Sequence, residues 1–328
     1  MKVVNWFDKN RFSYKQFSDI KKLVELKKKQ KVTISLGIPT LNEEETIGKI
    51  VSVMKTELMD KYHLLDEIAI IDSGSTDKTR EVARAAGAKT FASGKALKEE
   101  RAFYGKGENL WKSLYLLKGD IIVWIDADIK NIHPRFAYGL LGPLLVYPEI
   151  GFSKAFYDRP IKVKDIIQPI GGGRVTELTI RPLFNMFFPR LSGFIQPLSG
   201  EYAGRREVLE KVPFFTGYGV ETGLLIDICT RFGLKKMAQV DLLRRIHRNQ
   251  SLYSLTKMAY GILRVFSQRA SQFGKLIPVK KKLRNKMRIP RKKDGTYFLE
   301  EKKIIERERP PIITLDKYRK KFKKEVIE

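Results

Sequence analysis

Apolar and polar positions along the first half of the chain predict strands that are separated by helices. Apolar runs of strand length lie at residues 32–38, 67–72, 89–92 and 121–125. Between them, apolar residues repeat at helical spacing over residues 47–54, 79–86 and 108–117. Strands that alternate with helices form a mostly parallel sheet with right-handed crossovers. We therefore predict an α/β fold with a central sheet flanked by helices.

The second half predicts further helices and strands with less regular spacing. Helices are expected at residues 135–147, 178–188, 205–212, 217–232 and 251–273, and strands at 150–157 and 235–240. We divide the chain into a helical arm that packs on the domain (1–31), two halves (32–157 and 158–274) and a basic tail (275–328). The tail is charge-dense, and we expect it to be mobile apart from a short ordered piece near residues 297–305.

Composition adds a large positive charge to this picture. The net charge is +27, with 64 Lys and Arg against 37 Asp and Glu, and it suggests anionic partners. Cys229 is the only cysteine, which excludes an intrachain disulfide or a zinc cluster. The sequence has no apolar run of 18 residues and does not start like a secretory signal, so we expect a soluble, cytoplasmic protein without stable membrane insertion.

Two carboxylates follow the most apolar strand. Asp126 and Asp128 come directly after residues 121–125, and the period of two along a strand puts them on the same side. Ligands bind at the carboxyl ends of strands in open α/β sheets, and two carboxylates there suit Mg²⁺ or Mn²⁺ together with substrate phosphates. The alternative is a pair of solvated aspartates in a turn.

The loops after the first two strands have polar clusters that suit a nucleotide. Residues 39–43 and 73–77 could line its base and ribose, with Asp72 and Glu43 as hydrogen-bond acceptors. The alternative is helix capping, by Asn42 or Thr40 in the first loop and Thr76 in the second. No Gly-x-Gly-x-x-Gly follows the first strand and no Walker A sequence occurs, which disfavours ordinary dinucleotide-binding and P-loop folds.

Three basic side chains add candidate anion or metal contacts. Lys106 stands between two glycines at a helix start and could reach a diphosphate, or it could be an ordinary surface lysine. The run Gly171-Gly-Gly-Arg-Val-Thr176 indicates an anion-binding nest, with a flexible hinge as the alternative. His247 could complete the coordination of a metal held by the two aspartates, or it could be structural.

The motifs together resemble a known family. Pro39-Thr-Leu-Asn-Glu43, Asp72-Ser-Gly-Ser-Thr-Asp77 and the Asp-x-Asp at 126–128 resemble nucleotide-sugar glycosyltransferases of the GT-A fold. The later motifs resemble the glucosyl-3-phosphoglycerate synthase family over about residues 30–270; they are Gly105-Lys-Gly-Glu108, Gly171-Gly-Gly-Arg-Val-Thr-Glu-Leu178, Pro197-Leu-Ser-Gly-Glu201, Gly217-Tyr-Gly-Val-Glu221 and His247-Arg-Asn249.

The resemblance implies a reaction and a set of site residues. It implies retaining transfer of glucose from a nucleoside diphosphate donor, usually UDP-glucose, to the 2-hydroxyl group of D-3-phosphoglycerate by a homodimeric enzyme, giving a product used for compatible solutes or polysaccharides. The implied donor residues are Pro39, Leu41, Asn42, Glu43, Ser73, Lys106, Asp126, Ala127, Leu198, Tyr218 and Glu221. The implied acceptor residues are Gly173, Arg174, Thr176 and Asn249. Asp128 and His247 would ligate Mg²⁺, with Mn²⁺ or Co²⁺ as alternatives, and Asp126 and Glu221 would act near the reacting sugar.

Other readings of the sequence remain open at this point. The same fold could transfer mannose from GDP-mannose, or transfer a sugar to a polyprenyl phosphate, which would require a membrane anchor. Retention could arise from front-face attack, which we favour, or from double displacement on a carboxylate. A basic nucleic-acid-binding protein would also fit the charge but would leave the motifs without a role, so we expect no nucleic-acid partner.

Overall fold

A central sheet runs through the computed structural model, which describes residues 2–159, 161–163, 166–168, 173–246, 250–276, 285–293 and 296–325. The strands are β1 (Arg11–Ser13), β2 (Ile34–Thr40), β3 (Glu67–Asp72), β4 (Lys89–Ala92), β5 (Ile121–Trp124), β6 (Phe152–Asp158), β7 (Ile161–Val163), β8 (Ile166–Gln168), β9 (Tyr202–Arg205), β10 (Phe214–Phe215), β11 (Met237–Arg244), β12 (Lys286–Lys293), β13 (Thr296–Lys303) and β14 (Glu308–Arg309).

Helices cover both faces of the sheet. They are α1 (Val3–Lys9), α2 (Ile20–Gln30), α3 (Glu44–Met54), α4 (Thr79–Ala85), α5 (Lys106–Leu116), α6 (Arg135–Val146), α7 (Arg181–Phe187), α8 (Arg206–Leu209), α9 (Val220–Phe232), α10 (Leu252–Gln272) and α11 (Asp316–Phe322). π-helical segments are Lys55–Lys61 and Thr176–Ile180, and 3₁₀ turns are Tyr14–Phe17, Ser93–Lys95, Pro189–Leu191, Leu234–Lys236 and Ile312–Thr314. Within the described ranges, no helix is both long and apolar enough to span a membrane.

The predicted parallel sheet is confirmed. An eight-stranded sheet has the order β1-β11-β6-β9-β5-β2-β3-β4. Strand β2 pairs in parallel with β3 on one side and with β5 on the other. Because the three strands run in the same direction, the loops that follow them meet at one edge, where open α/β sheets bind ligands.

Two strands of this sheet do not follow from the sequence pattern. Tyr202–Arg205, for which the pattern predicts only a helix start at residue 205, forms β9, which pairs antiparallel with both β5 and β6. The ring of Tyr202 packs edge-on against Trp124 of β5 at a centroid distance of 5.4 Å. The N-terminal arm is not purely helical either, because Arg11–Ser13 forms β1 and pairs in parallel with β11.

The expectation of a mobile tail is wrong for much of the described C-terminal region. Strand β14 pairs antiparallel with β10, and Ile312, Ile313 and Tyr318 are buried. The hydroxyl group of Tyr318 lies between Arg206, which donates to it, and Glu210, to which it donates, both at 2.9 Å. These contacts to a region about 100 residues earlier make the segment around Tyr318 part of the folded core.

Candidate active site

The two aspartates after β5 converge on one cation. The Nη2 atom of Arg245 lies 3.1 Å from Oδ2 of Asp126 and 2.6 Å from Oδ1 of Asp128. Ala127 between them is buried, with 4% of its surface exposed. The side chains at 126 and 128 therefore point to the same cation although both follow the end of β5 at Trp124, and they are not freely solvated.

Lys106 joins this cluster from the N-terminus of α5. Its Nζ atom lies 2.6 Å from Oδ1 of Asp126 and 3.0 Å from Oε1 of Glu221 at the start of α9. Only 19% of its side chain is exposed, which contradicts the surface-lysine alternative. Burial alone would lower the pKa of Lys106, but Asp126 and Glu221 raise it well above its ordinary value, so the lysine is charged.

The pKa of Asp126 reflects the same contacts. Burial would raise it, but Lys106 and Arg245 outweigh burial and lower the pKa to about 2. Gly105 and Gly107 make the approach of Lys106 feasible, because a Cβ atom on either would lie 2.4 Å or less from a backbone oxygen of Phe215 or Thr216. The glycine spacing that suggested an anion site therefore has a packing cause.

Sequence reasoning missed the residues beneath the aspartates. Glu201 has no exposed surface, and its Oε1 atom lies 3.1 Å from Nε of Arg245. Its other oxygen accepts a hydrogen bond from the hydroxyl group of Tyr157. Burial raises the pKa of Glu201 even though Arg245 opposes that shift. Glu201 ends the motif Pro197-Leu-Ser-Gly-Glu201, and Arg245 comes two residues before His247-Arg-Asn249, but no local signal gives their pairing.

Lys154 is a second residue that the sequence did not indicate. It is 1% exposed within β6, and its Nζ atom donates to the carbonyl oxygen of Ser199 at 2.7 Å. The same atom lies 4.4 Å from the ring centroid of Tyr202. Burial lowers the pKa of Lys154 to about 7. Lys154 thus supports the turn that contains Leu198 and Gly200.

The loops after β2 and β3 cap each other. The α3 amides of Glu43 and Glu44 donate to Thr79 Oγ1 at 2.8 Å and to Asp77 Oδ2 at 3.2 Å. Asn42 instead accepts from the amide of Thr76 at 2.9 Å. The prediction that Asn42 or Thr40 caps α3 is therefore wrong, because the capping groups come from the neighbouring loop.

Asp72 is occupied within its own loop. Its Oδ2 atom accepts from the amides of Gly74 and Ser75, both at 3.0 Å, and the hydroxyl groups of Thr40 and Ser75 donate to Oδ1. With 1% of its surface exposed, Asp72 shapes the loop. The interpretation of Asp72 as a hydrogen-bond acceptor for a nucleotide stays a prediction, and both of its carboxylate oxygens already accept hydrogen bonds from the protein.

One cavity of about 480 Å³ lies at the edge where these loops meet. The predicted site residues that line it are Pro39, Leu41, Glu43, Ser73, Lys106, Asp126, Ala127, Asp128, Gly173, Arg174, Thr176, Leu198, Tyr218 and Glu221. Asn42 is not among the lining residues. His247 and Asn249 lie outside the described residues. Arg159, Arg245 and Gln250 also line the cavity, and sequence reasoning gave them no role.

The predicted anion nest is partly described. Gly171 and Gly172 lie outside the described residues, whereas Gly173 has a left-handed φ of 85°. Arg174 is exposed to the cavity, and its Nη2 atom donates to the backbone oxygen of Gln250 at 3.0 Å. Thr176 is buried at the start of a π-helical segment. A guanidinium group and a helix start therefore face one part of the cavity.

The carboxylates at 126 and 128 also fit a divalent cation. Oxygen atoms of both approach a single nitrogen of Arg245, so they can approach a single cation, and carboxylate oxygens are the ligands that Mg²⁺ and Mn²⁺ prefer. Across the described residues, no group of three or more His, Cys, Asp or Glu side chains forms a metal cluster. The third predicted ligand, His247, is outside those residues.

Comparisons with known proteins agree with this geometry. A sequence model of glycosyl transferase family 2 matches residues 35–211. The chain is 58% identical over 317 residues to the glucosyl-3-phosphoglycerate synthase of Petrotoga mobilis, and the match covers 97% of each chain. The mannosyl-3-phosphoglycerate synthase structure from Rubrobacter xylanophilus is 37% identical with a TM-score of 0.86, covering 95% of this chain and 97% of that one.

A mycobacterial structure supplies ligands for comparison. Glucosyl-3-phosphoglycerate synthase from Mycobacterium tuberculosis, solved with Mn²⁺, UDP and phosphoglyceric acid, is 39% identical with a TM-score of 0.78, covering 89% of this chain and 94% of that one. The same enzyme has also been solved with UDP-glucose and with Mg²⁺ and UDP.

The fold and the cavity thus define a glycosyltransferase of the GT-A type. Within glycosyl transferase family 2, the chain belongs to the glucosyl-3-phosphoglycerate synthases. The resemblance that the motifs suggested is confirmed.

Proposed function

We propose that this protein transfers glucose from UDP-glucose to the 2-hydroxyl group of D-3-phosphoglycerate with retention of the anomeric configuration. The observation that carries the proposal is a single cavity lined by both the Lys106–Asp126–Glu221 cluster and Arg174 with Thr176. The first group suits a nucleoside diphosphate sugar and the second suits a small phosphorylated acid. The ligands in the mycobacterial structures support both assignments.

Donor binding follows from the positions around the cavity. Pro39, Leu41, Glu43 and Ser73 line the part after β2 and β3, where we place the uridine. Lys106 follows at the helix start and would offer its ammonium group to the diphosphate. Leu198 and Tyr218 would shape the sugar pocket. Asn42 would act indirectly, because it joins the two loops through Thr76.

Acceptor binding uses the positive charge of Arg174, which attracts the negatively charged phosphate and carboxylate groups of 3-phosphoglycerate. Arg174 presents a planar guanidinium group that can hold either anion through two hydrogen bonds. The hydroxyl group of Thr176 and the Gly173 backbone would add further contacts, and Asn249 is the fourth residue that we assign. Gln250 orients Arg174 by accepting a hydrogen bond from it.

Asp128 and His247 would hold Mg²⁺ or Mn²⁺, with Asp126 beside them, and the cation would offset the charge that develops on the leaving diphosphate. Lys106 supplies a fixed positive charge to the same group. We favour front-face attack by the acceptor hydroxyl: the new C1–O2 bond forms as the C1–O bond to UDP breaks, and the hydroxyl proton passes to the released diphosphate. Glu221 is paired with Lys106, so we assign it to contact with the sugar hydroxyls.

GDP-mannose is the second candidate donor, and one specific observation favours it. The Rubrobacter mannosyl-3-phosphoglycerate synthase has the higher TM-score of the two solved structures, 0.86 against 0.78. The 58% identity to a glucosyl enzyme favours glucose. We also propose a cytoplasmic homodimer, on the resemblance to the family alone.

The test is product formation from 3-phosphoglycerate with Mg²⁺, using UDP-glucose, GDP-glucose and GDP-mannose as parallel donors, with and without EDTA. We expect glucosyl-3-phosphoglycerate from UDP-glucose, and loss of turnover in EDTA that added Mg²⁺ restores. Proton NMR of the anomeric position would show retention. A mannosyl product would replace the sugar assignment, and no product from any donor would overturn the proposed function.

A further inference from the structure

A short C-terminal segment reaches back to the donor side of the cavity. We call residues 306–310 the C-terminal strap. Its backbone pairs with residues 214–216: β14 pairs with β10, the amide of Thr216 donates to the Arg307 oxygen at 3.0 Å, and the amide of Arg307 donates to Thr216 Oγ1 at 3.2 Å. The strap therefore lies beside residues 214–216, which come directly before the loop that leads into α9.

Glu306 at the start of the strap holds that loop. Its Oε2 atom accepts from the amide of Gly217 at 3.1 Å, and its Oε1 atom accepts from the amide of Gly219 at 3.3 Å. The intervening residue, Tyr218, is half exposed and lines the cavity. Glu306 thus fixes the two backbone amides on either side of Tyr218, while the tyrosine side chain faces the cavity.

Glycines shape the space that the carboxylate occupies. A Cβ atom added to Gly217 would lie 2.4 Å from Oε1 of Glu306, and one added to Gly261 of α10 would lie 2.6 Å from it. Burial raises the pKa of Glu306 to about 7, against the opposing effect of the two amides and Arg264. The carboxyl group is therefore partly withdrawn from solvent against two glycines, which is unusual for a residue in a charge-dense segment.

The other end of the strap holds α5. Arg309 pairs with Glu108 in the first turn of that helix at 2.8 and 2.9 Å, and Pro310 accepts from Nε1 of Trp111 at 2.9 Å. The helix begins with Lys106, and α9 carries Glu221, so the strap is attached to both elements whose side chains meet at 3.0 Å in the cavity.

We propose that Glu306 is a positioning residue for the donor site, acting through the amides of Gly217 and Gly219 to place Tyr218 and Glu221. The proposal rests on the proposed function for the identity of the donor. A carboxylate suits this role because two amide donors need two acceptor oxygens. Glutamine would supply one oxygen and turn an NH₂ group toward the second amide.

The test compares Glu306→Gln with Glu308→Gln. Glu308 lies in the same strap. Its side chain pairs with Gln268 and Arg269 of α10 at 2.7 and 2.9 Å. Among the described contacts, its side chain makes none with residues 217–219. At pH 8, where Glu306 is ionised, we expect Glu306→Gln to raise the KM for UDP-glucose about tenfold or more and to lower kcat. The KM for 3-phosphoglycerate should change less than about twofold, and Glu308→Gln should leave all three values near wild type.

A second variant displaces the carboxylate without changing it. Gly261→Ala adds a methyl group against Oε1 of Glu306 and favours the α10 helix, since alanine has the higher helix propensity. We expect the same selective rise in the donor KM without loss of thermal stability. An unchanged donor KM in folded Glu306→Gln, or equal effects of Glu306→Gln and Glu308→Gln, would overturn the proposal.

Hydrogen exchange separates this proposal from the proposed function. Amide exchange over residues 214–222 needs no substrate, and we expect it to be about tenfold faster in Glu306→Gln than in wild type, with Glu308→Gln unchanged. If exchange is faster in Glu306→Gln but the wild-type protein forms no glucosylated product, the positioning role of Glu306 stands and UDP-glucose is rejected as the donor. Unchanged exchange would reject the positioning role even where wild-type transfer is normal.

Discussion

Arg309 and Glu108 form a two-point ion pair, with nitrogen–oxygen distances of 2.9 and 2.8 Å, across 201 residues of sequence. Glu108 has no exposed surface and Arg309 is 4% exposed. The guanidinium group also lies 4.7 Å from the Trp111 ring centroid and 4.8 Å from that of Phe103. The pair joins the C-terminal strap to the helix that begins with Lys106.

Arg309→Met should therefore destabilise the whole protein. Removing one partner of a buried pair leaves the other charge uncompensated, which costs about 3–5 kcal/mol. We expect the lower end of that range in urea unfolding, because Lys112 still lies 3.3 Å from Glu108. The double variant Arg309→Met/Glu108→Gln should recover part of the loss. Equal stability of Arg309→Met and wild type would show that the tail is not part of the folding unit.

Lys106→Met should impair donor use while the protein stays folded. The substitution keeps the length of the side chain but removes the cation that Asp126 and Glu221 share. We expect kcat/KM for UDP-glucose to fall about 10²-fold or more, since a charged hydrogen bond in the transition state is lost. Lys112→Met is the control: Lys112 lies in the same helix and its side chain is more deeply buried, 1% exposed against 19% for Lys106. Lys112→Met should lower thermal stability and leave the KM for UDP-glucose unchanged. A higher KM for UDP-glucose in Lys112→Met but not in Lys106→Met would contradict the assignment of Lys106 to the donor.

Asp128→Asn should remove the metal dependence of nucleotide binding. The amide has one carbonyl oxygen in place of a charged carboxylate and is a weaker ligand for Mg²⁺. Calorimetric titration of UDP should show tighter binding with Mg²⁺ in wild type and little effect of Mg²⁺ in the variant. Asp120→Asn at the opposite end of β5 is the control, since the described hydrogen bonds to the Asp120 side chain come from Thr33 alone. Full metal-dependent binding by Asp128→Asn would refute the metal assignment.

Arg174→Ala should weaken binding of the acceptor, 3-phosphoglycerate. Loss of a bidentate anion contact is expected to raise the KM for 3-phosphoglycerate about 10²-fold with little change in the KM for UDP-glucose. Arg174→Lys keeps the charge but not the planar fork, so an intermediate value is expected. Steady-state kinetics with each substrate varied in turn would measure both. A rise confined to the donor KM would show that Arg174 faces the other substrate.

The sequence is sufficient for the strands that end at the cavity. The apolar runs of β2, β3 and β5 are buried on both faces, so their pattern is unambiguous, and the aspartates are found because they follow the last of these runs directly. It is insufficient for β9, because four residues that include Gly204 show no clear period. Arg245 and Lys154 are not predicted for a different reason: their hydrogen-bond and ion-pair partners lie in loops that are distant in sequence, and a buried basic residue has no local signature.

The strap shows the same limit more sharply. Glu306 lies in a run dense in Lys, Arg and Glu, which is the pattern of a solvated segment. Its role depends on two amides 87 and 89 residues away, a pairing that composition and periodicity do not encode.

The carboxyl group of Glu306 should also make stability depend on pH. Its pKa is about 7 in the folded protein and near 4.5 in the unfolded chain, so between these values the folded state keeps a proton that the unfolded state releases. The free energy of unfolding must then fall as pH rises through this window.

The upper bound on this effect is about 3 kcal/mol for the full shift. The charged groups that face Glu306 are Arg264 of α10, which favours ionisation, and Glu221 of α9, which opposes it. Glu306→Gln has no proton to release, so urea unfolding at pH 5, 6, 7 and 8 should show a loss of stability in wild type that exceeds the loss in the variant. Parallel pH profiles for the two proteins would mean that Glu306 ionises at its ordinary pKa and that burial is not the dominant influence on it.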